Sequence, residues 1–248
     1  DISKIPHADV VIGGPPCQSF SLAGNRNVED ERGQHVWKYI HIIEQVKPKA
    51  FVFENVTGLL SAKNSQGEKI IELLKIAFRE IGYTIEQQVM NAADYGIPQR
   101  RKRVIIVGLK DNKFKFPQPT HSEDGKFLKR YVSVEEALGD LPDAISDENG
   151  VVKYSTPAQN EYQEYIRRNV EITEHFIPKM SELDEYIVSH VKPGGNYMDI
   201  PADVNSSRIR RLQKDGGHTT CYGRLLPDKP SYTINTYFNR PNVGCNIH

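Results

Sequence analysis

The sequence predicts an α/β fold, because short apolar runs alternate with stretches of helical period. Val10-Val11-Ile12, Ala50-Phe51-Val52-Phe53 and Val104-Ile105-Ile106-Val107 have the length of buried strands and are bounded by turn residues. Between them, Gln34–Val46 and Glu68–Ile81 repeat their apolar residues three and four apart. That alternation argues for a mostly parallel sheet with helices on its faces. The rhythm stops after Lys110, so residues 1–112 are read as one α/β region and 113–248 as a second, irregular small domain.

Asp9–Ile12 is the first strand, and Gly13-Gly14-Pro15-Pro16-Cys17-Gln18-Ser19-Phe20-Ser21 follows it. The glycines permit a sharp turn, and the prolines fix φ and remove two backbone donors. Cys17 thus stands on a stiffened loop past a strand end, where open α/β sheets keep their ligands. The competing reading of a lone cysteine is a small buried hydrophobe. Leu22–Arg32 is polar and suits a mobile active-site loop. Val36, Tyr39, Ile40, Ile43 and Val46 define a first helix, which Lys47-Pro48 ends. Glu54 is expected at the C-terminal end of the strand Ala50–Phe53. Ile70, Ile71, Leu74, Ala77, Phe78 and Ile81 define a second helix, with Gly82 at a natural C-cap. Tyr83–Met90 reads as a strand, Asn91–Pro98 as a loop, and Val104–Val107 as a fully apolar strand. Beyond Lys110, Pro117, Pro119, Pro142, Pro157, Pro178 and Pro193 break the chain, leaving helical candidates near Ser133–Leu141 and Ile177–Val191.

The totals narrow the class. With 38 % apolar and 26 % charged residues the 248-residue chain has an ordinary globular balance, and no apolar run approaches the ~20 residues of a membrane span. The start carries no signal-peptide pattern, so the cytoplasm is the default compartment. Its three cysteines, Cys17, Cys221 and Cys245, are too far apart for a zinc knuckle or a disulfide framework, so no metal is expected. Lys plus Arg equals Asp plus Glu at 32 each, so net charge gives no support to a nucleic-acid partner. The distribution says more. Arg100, Arg101, Lys102, Arg103, Lys110, Lys113 and Lys115 form one basic cluster and Arg208, Arg210, Arg211 and Lys214 another, with Glu135–Glu148 acidic between them. Such runs are commonly solvated faces, yet the arrangement fits a DNA-facing side and a solvent side.

Three motifs carry a resemblance. Pro15-Pro16-Cys17-Gln18 with Phe20-Ser21, then Glu54-Asn55-Val56, then Gln99-Arg100-Arg101-Lys102-Arg103 are similar to the catalytic motifs of the DNA cytosine-5 methyltransferases, in the family's order. The match is clear from Asp1 to about Lys110 and weaker beyond. There, Ser133–Pro142 and the run from Gly223-Arg224-Leu225 into Lys229–Ile234 resemble segments of the family's target-recognition region. The resemblance implies a partial Rossmann-like sheet that uses S-adenosyl-L-methionine, double-stranded DNA as partner, and a bacterial or phage restriction-modification setting. Asp1, Ile2 and Pro16 fall on its cofactor side. Gln18, Ser21, Asn55, Gln99 and Thr233 fall on its DNA and loop side, with Asn55 bracing the catalytic loop. Arg32-Gly33 matches a loop-end signature.

The residue types suit that chemistry. Cytosine C5 is a poor nucleophile until a thiolate adds to C6, a step for which Cys17 is the candidate. Charge then placed on the ring is relieved at N3 by a carboxylic acid. Glu54, after its apolar run, is expected to be desolvated enough to serve. Arg101 and Arg103, on one face of an extended segment, are placed to converge on cytosine O2 and a phosphate. The alternative for this segment is an edge strand protected by charge. Because a base inside the duplex is out of reach of a thiol, the reaction implies base flipping, with Ser19–Arg32 closing over the extruded cytosine.

Other readings stay open. A tRNA cytosine methyltransferase of the same superfamily would keep these motifs. A non-catalytic DNA-binding subunit would not need Cys17. An unrelated thiol hydrolase or oxidoreductase would want a histidine or second cysteine nearby, and His35 sits at a helix start. The family's glycine-rich cofactor segment and its two C-terminal motifs have no counterpart, so the chain reads as an internal stretch of a longer protein. Alone it is expected to be inactive or very weakly active, with the parent chain or a complementing subunit supplying the rest.

Overall fold

The computed structural model describes residues 5–16, 34–64, 66–145, 147, 149–167, 171–177, 179–238 and 240–247. By contact density the chain divides into two compact units, one of Asp1–Asn91 with Lys102–Gln118, the other of Ala92–Arg101 with Pro119–His248.

The first unit is built on β1 (Val10–Gly13), α1 (Gln34–Val46), β2 (Ala50–Val56), α2 (Ile70–Glu80), β3 (Thr84–Asn91) and β4 (Lys102–Leu109). The four strands form one sheet in the order β1-β2-β4-β3. β1 and β2 are parallel and joined through α1, while β4 runs antiparallel to both β2 and β3. The expected mostly parallel sheet is therefore a mixed one. β2 and β3 point the same way because α2 carries the crossover between them. β4 follows β3 through Ala92–Arg101, a connection with a 3-10 turn and no crossover helix, and a parallel return needs such a crossover. β4 then inserts between its two predecessors.

α1 has the expected bounds. Val36, Tyr39, Ile40 and Ile43 are buried, and Lys47 takes a left-handed φ of 50° ahead of Pro48, stopping the helix. α2 buries Ile70, Ile71, Leu74 and Phe78, and Gly82 (φ 91°) reverses the chain after it. β2 alternates strictly, with Phe51, Phe53 and Asn55 buried and Val52 and Glu54 on the other face. Phe51 and Phe78 rings lie 4.3 Å apart between centroids, and Tyr39 and Tyr83 pack edge-on around them. Each such aromatic, fully buried, contributes about 1.5–3 kcal/mol by area alone. Gly108 is required where the Phe51 ring lies flat on β4, since a Cβ there would overlap the ring.

The second unit has its own core of Ile187, Val191, Tyr197, Ile200, Val204, Ile209, Tyr222 and Ile247. Its helices are α3 (Val134–Leu138), α4 (Glu161–Ile166), α5 (Glu182–His190) and α6 (Ser207–Asp215). Ser133 and Glu136 close a capping box on α3, which realises the Ser133–Leu141 candidate. The candidate at Ile177–Val191 starts later than the apolar residues indicate, because the Ser181 side chain accepts from Asp184 N and sets the first turn. Short strand pairs complete the unit: β5 (His121–Ser122) with β6 (Lys129–Arg130), β7 (Val152–Lys153) with β8 (Glu171–Ile172), and β9 (Gly223–Arg224) with β10 (Cys245–Ile247). Among the described residues no helix is long and apolar enough to cross a membrane, and no group of His, Cys, Asp and Glu converges as metal ligands.

Candidate active site

The first unit brings two expected residues, Glu54 and Arg103, together, with Asn55 on the opposite face of Glu54's strand. β2 does not stop before Glu54 but continues to Val56, because β4 pairs with it as far as Val56↔Arg103. Glu54 is therefore in the strand interior, opposite Ile105, and Arg103 is its diagonal neighbour on the same face. Arg103 Nε lies 2.9 Å from Glu54 Oε1, and Arg103 Nη1 also donates to the Lys102 carbonyl at 2.8 Å. The Glu54 side chain keeps 38 % exposure and that of Arg103 20 %. Glu54 is thus half-buried, with a guanidinium at one carboxylate oxygen and Gly14 close to the other.

Asn55 points to the other face and is 4 % exposed. Its Nδ2 donates to the Pro15 carbonyl at 3.2 Å, and its Oδ1 accepts from Val56 N at 2.8 Å. Both ends of a buried amide are thus engaged, fixing the chain just before Cys17. Gly14 lies so close to Glu54 that a Cβ would sit 2.9 Å from Oε2, and a Cβ on Gly13 would enter the Tyr39 ring. Neither glycine has a positive φ. Their smallness serves close approach and not the sharp turn the sequence implies. Tyr39 is held there by its hydroxyl, 2.9 Å from the Val52 carbonyl, and burial raises its phenol well above the usual range. Pro16, on the expected cofactor side, is exposed. Cys17, Gln18, Ser21, Asp1, Ile2, Arg32 and Gly33 lie outside the described residues.

A separate set forms within the second unit. Gln99 bridges Ser231, Ser231 N donates to the Pro98 carbonyl at 2.9 Å, and Arg100 N donates to Ser231 O at 2.8 Å. The Thr233 hydroxyl donates to the Arg100 carbonyl at 2.9 Å. The segment Gln99–Arg100 and the recognition-type stretch around Thr233 are therefore stitched side by side. Arg101, just before β4, accepts at its carbonyl from Ala92 N at 3.0 Å. Arg100 is turned to Glu123 at 2.5 Å and lies over the Tyr131 ring. Of the basic cluster expected to face DNA, Arg100 and Arg103 are thus both paired with carboxylates of the protein's own chain, Arg100 at the surface. The second cluster behaves differently: Arg208, Arg210, Arg211 and Lys214 are all exposed on α6.

Cys245 is buried and its thiol is pushed up by desolvation, and Cys221 is free and half-buried. The sequence does not mark Tyr39 or Glu123 as site residues, and Ser231 enters only within the family-like run Lys229–Ile234. Tyr39 was legible only as a core residue, and Ser231 and Glu123 sit far along the chain from the groups they hold.

Residues 1–233 match the family described as C-5 cytosine-specific DNA methylase. The chain is 35 % identical over 235 residues to the type II methyltransferase M.NgoFVII of Neisseria gonorrhoeae, covering 93 % of this chain and 53 % of that protein. It is 43 % identical over 152 residues to M.AquIA of Picosynechococcus sp., covering 55 % of this chain and 61 % of that protein. The fold is similar to a crystal structure described as a DNA modification methyltransferase encoded within an E. coli prophage. The TM-score is 0.62 at 22 % identity, over 91 % of this chain and 62 % of the other. The chain spans about half the length of the curated relatives it matches. With a family match over nearly all of its length, the chain belongs to the C-5 cytosine-specific DNA methylase family.

Proposed function

We propose that the protein methylates C5 of a cytosine flipped out of duplex DNA, with Cys17 as the covalent nucleophile. The observation that carries this is the setting of the segment leading to Cys17: Asn55 holds the Pro15 carbonyl on one face of β2 while Glu54 meets Gly14 on the other. In this reading the Cys17 thiolate forms a bond to C6, and the ring's C5–C6 electron pair moves to give an enamine-like C5. Glu54 engages the N3 and amino side of the base, which selects cytosine over thymine, and Arg103 holds Glu54 in place. Release requires loss of the C5 proton, with the pair expelling the thiolate from C6. S-adenosyl-L-methionine, when bound, supplies an electrophilic methyl group. Pro16, which is exposed, fits as apolar surface for it, with Asp1 and Ile2 the other candidates. Arg101 and Thr233 act on the target base and its strand, and α6 supplies phosphate contacts through Arg211 and Lys214.

The test is transfer of tritiated methyl groups by the purified full-length protein to unmethylated duplex DNA, with nucleoside analysis of the product. The reading requires 5-methylcytosine in DNA, lost in Cys17→Ala. Label in tRNA and none in duplex DNA would overturn the substrate, and full transfer by Cys17→Ala would overturn the mechanism.

A further inference from the structure

Phe127 is 96 % exposed, more than any other large apolar residue described, and Leu128 beside it is 39 % exposed. The loop that carries them is not a loose tip. Ser122 Oγ donates to Asp124 Oδ1 at 2.9 Å, Gly125 N donates to Ser122 Oγ at 3.1 Å, and Lys126 N donates to Asp124 Oδ1 at 3.2 Å. Gly125 turns the chain at φ 62°, against Arg130. The loop ends are closed by Lys129 N to Thr120 O and Tyr131 N to Ser122 O, at 3.2 and 3.1 Å. Its base is fastened to the segment ahead of Gln99: Thr120 N donates to the Asp94 carbonyl at 2.9 Å and Tyr131 Oη to Asp94 Oδ1 at 2.5 Å. Glu123 takes Arg100 at 2.5 Å.

The charges around Phe127 are sorted by the same contacts. Glu123 is consumed by Arg100, and Asp124 by the turn. Lys129 pairs with Glu161. Among the described residues Lys126 and Arg130, both exposed, form no ion pair, so two cations within three residues of Phe127 in the chain have no carboxylate partner. A rigid turn offering a bare aromatic ring between two free cations is matched to a polyanion with stacked bases beneath its phosphates. A second protein surface would meet the ring with an apolar pocket but would leave both cations unanswered.

We infer that Phe127 is a wedge for duplex DNA, its ring stacking at a base step while Lys126 and Arg130 hold the flanking phosphates. The inference rests on the proposed action on duplex DNA and adds a contact outside the residues that touch the target base. It is tested with the purified full-length protein and a pool of short duplexes of random sequence, using Phe127→Ala, Phe127→Leu and Phe127→Trp. Loss of one base–aromatic stack predicts that Phe127→Ala weakens duplex binding roughly tenfold or more. Its salt dependence stays the same, whereas Lys126→Ala and Arg130→Ala each reduce that dependence. Melting temperature should be unchanged, since the ring touches nothing, and the indole of Phe127→Trp should be quenched by duplex. The wedge is overturned if the parent binds duplex and Phe127→Ala binds equally well, or if the new indole is indifferent to saturating DNA. It is also overturned if Phe127→Ala loses self-association while keeping its DNA affinity. A parent protein that neither binds nor methylates duplex sinks the functional reading and the wedge together, whereas a methylating parent matched by Phe127→Ala sinks the wedge alone.

Discussion

Arg103 and Glu54 sit diagonally across the β4–β2 ladder, with Nε and Oε1 2.9 Å apart, on the face opposite the Asn55 bond to Pro15. One strand therefore presents, in two consecutive residues, a carboxylate held by Arg103 on one face and a brace for the segment that leads to Cys17 on the other. Alternation along β2 makes that division of labour obligatory.

Replacing Glu54 by Gln keeps the shape and one acceptor but removes the charge that Arg103 holds. Methyl transfer should fall by about 10²-fold or more, the scale of a positioned acid–base group. Glu54 and Arg103 are partly exposed, so stability should change by less than about 1 kcal/mol. Single-turnover rates with thermal melts on the same preparation check both. Unchanged transfer would remove Glu54 from the chemistry.

Asn55→Ala deletes the donor to Pro15 and leaves Val56 N without its acceptor in a buried place. The expected cost is about 1–3 kcal/mol of stability. Adduct formation should slow more than DNA binding weakens, because the brace acts on the nucleophile segment. Binding by anisotropy and trapping rates separate the two effects.

Gly13→Ala drives a methyl group into the Tyr39 ring, and overpacking of this kind costs about 1–3 kcal/mol. Tyr39→Phe loses the hydroxyl bond to Val52, worth about 0.5–1.5 kcal/mol. The two residues touch, so the double variant should depart from additivity. Additive denaturation midpoints would show that the contact is not the constraint.

His121 packs over Gly96, and burial first, then the nearby Lys129, holds its imidazole below the ordinary value of 6.5. The folded state thus binds its proton more weakly than the unfolded state. The stabilisation is complete above 6.5 and is lost as pH falls below that value. Denaturant midpoints measured from pH about 7.5 down to about 5 should drop in the parent and drop less in His121→Gln. Parallel curves would contradict the assignment.

What the sequence made legible follows from where each signal is local. α1 is readable to the residue because its apolar period and its Lys47-Pro48 stop lie in one window. The mixed sheet is not readable, since Val104–Val107 is equally apolar in a parallel or an antiparallel strand. For the same reason Glu54 is misplaced at a strand end, as only pairing with β4 shows that β2 continues. α6 escapes detection because Ile209 and Leu212 alone face inward among its arginines, which leaves no apolar period to see. The motifs single out Glu54, Asn55 and Arg103 one by one, without showing that Arg103 pairs with Glu54. Their geometry, and the use of Gly13 and Gly14 for close approach, depends on residues distant in the chain. So does the bond from Thr233 to Arg100, formed across 133 positions.

The most direct measurement is covalent trapping on duplexes carrying 5-fluorocytosine, with the full-length protein and S-adenosyl-L-methionine. Fluorine at C5 blocks the last elimination, so the expected result is an adduct that survives denaturing electrophoresis, is absent in Cys17→Ala, and forms slowly in Asn55→Ala. An undiminished adduct in Cys17→Ala, or methylated product with no adduct at all, would contradict it.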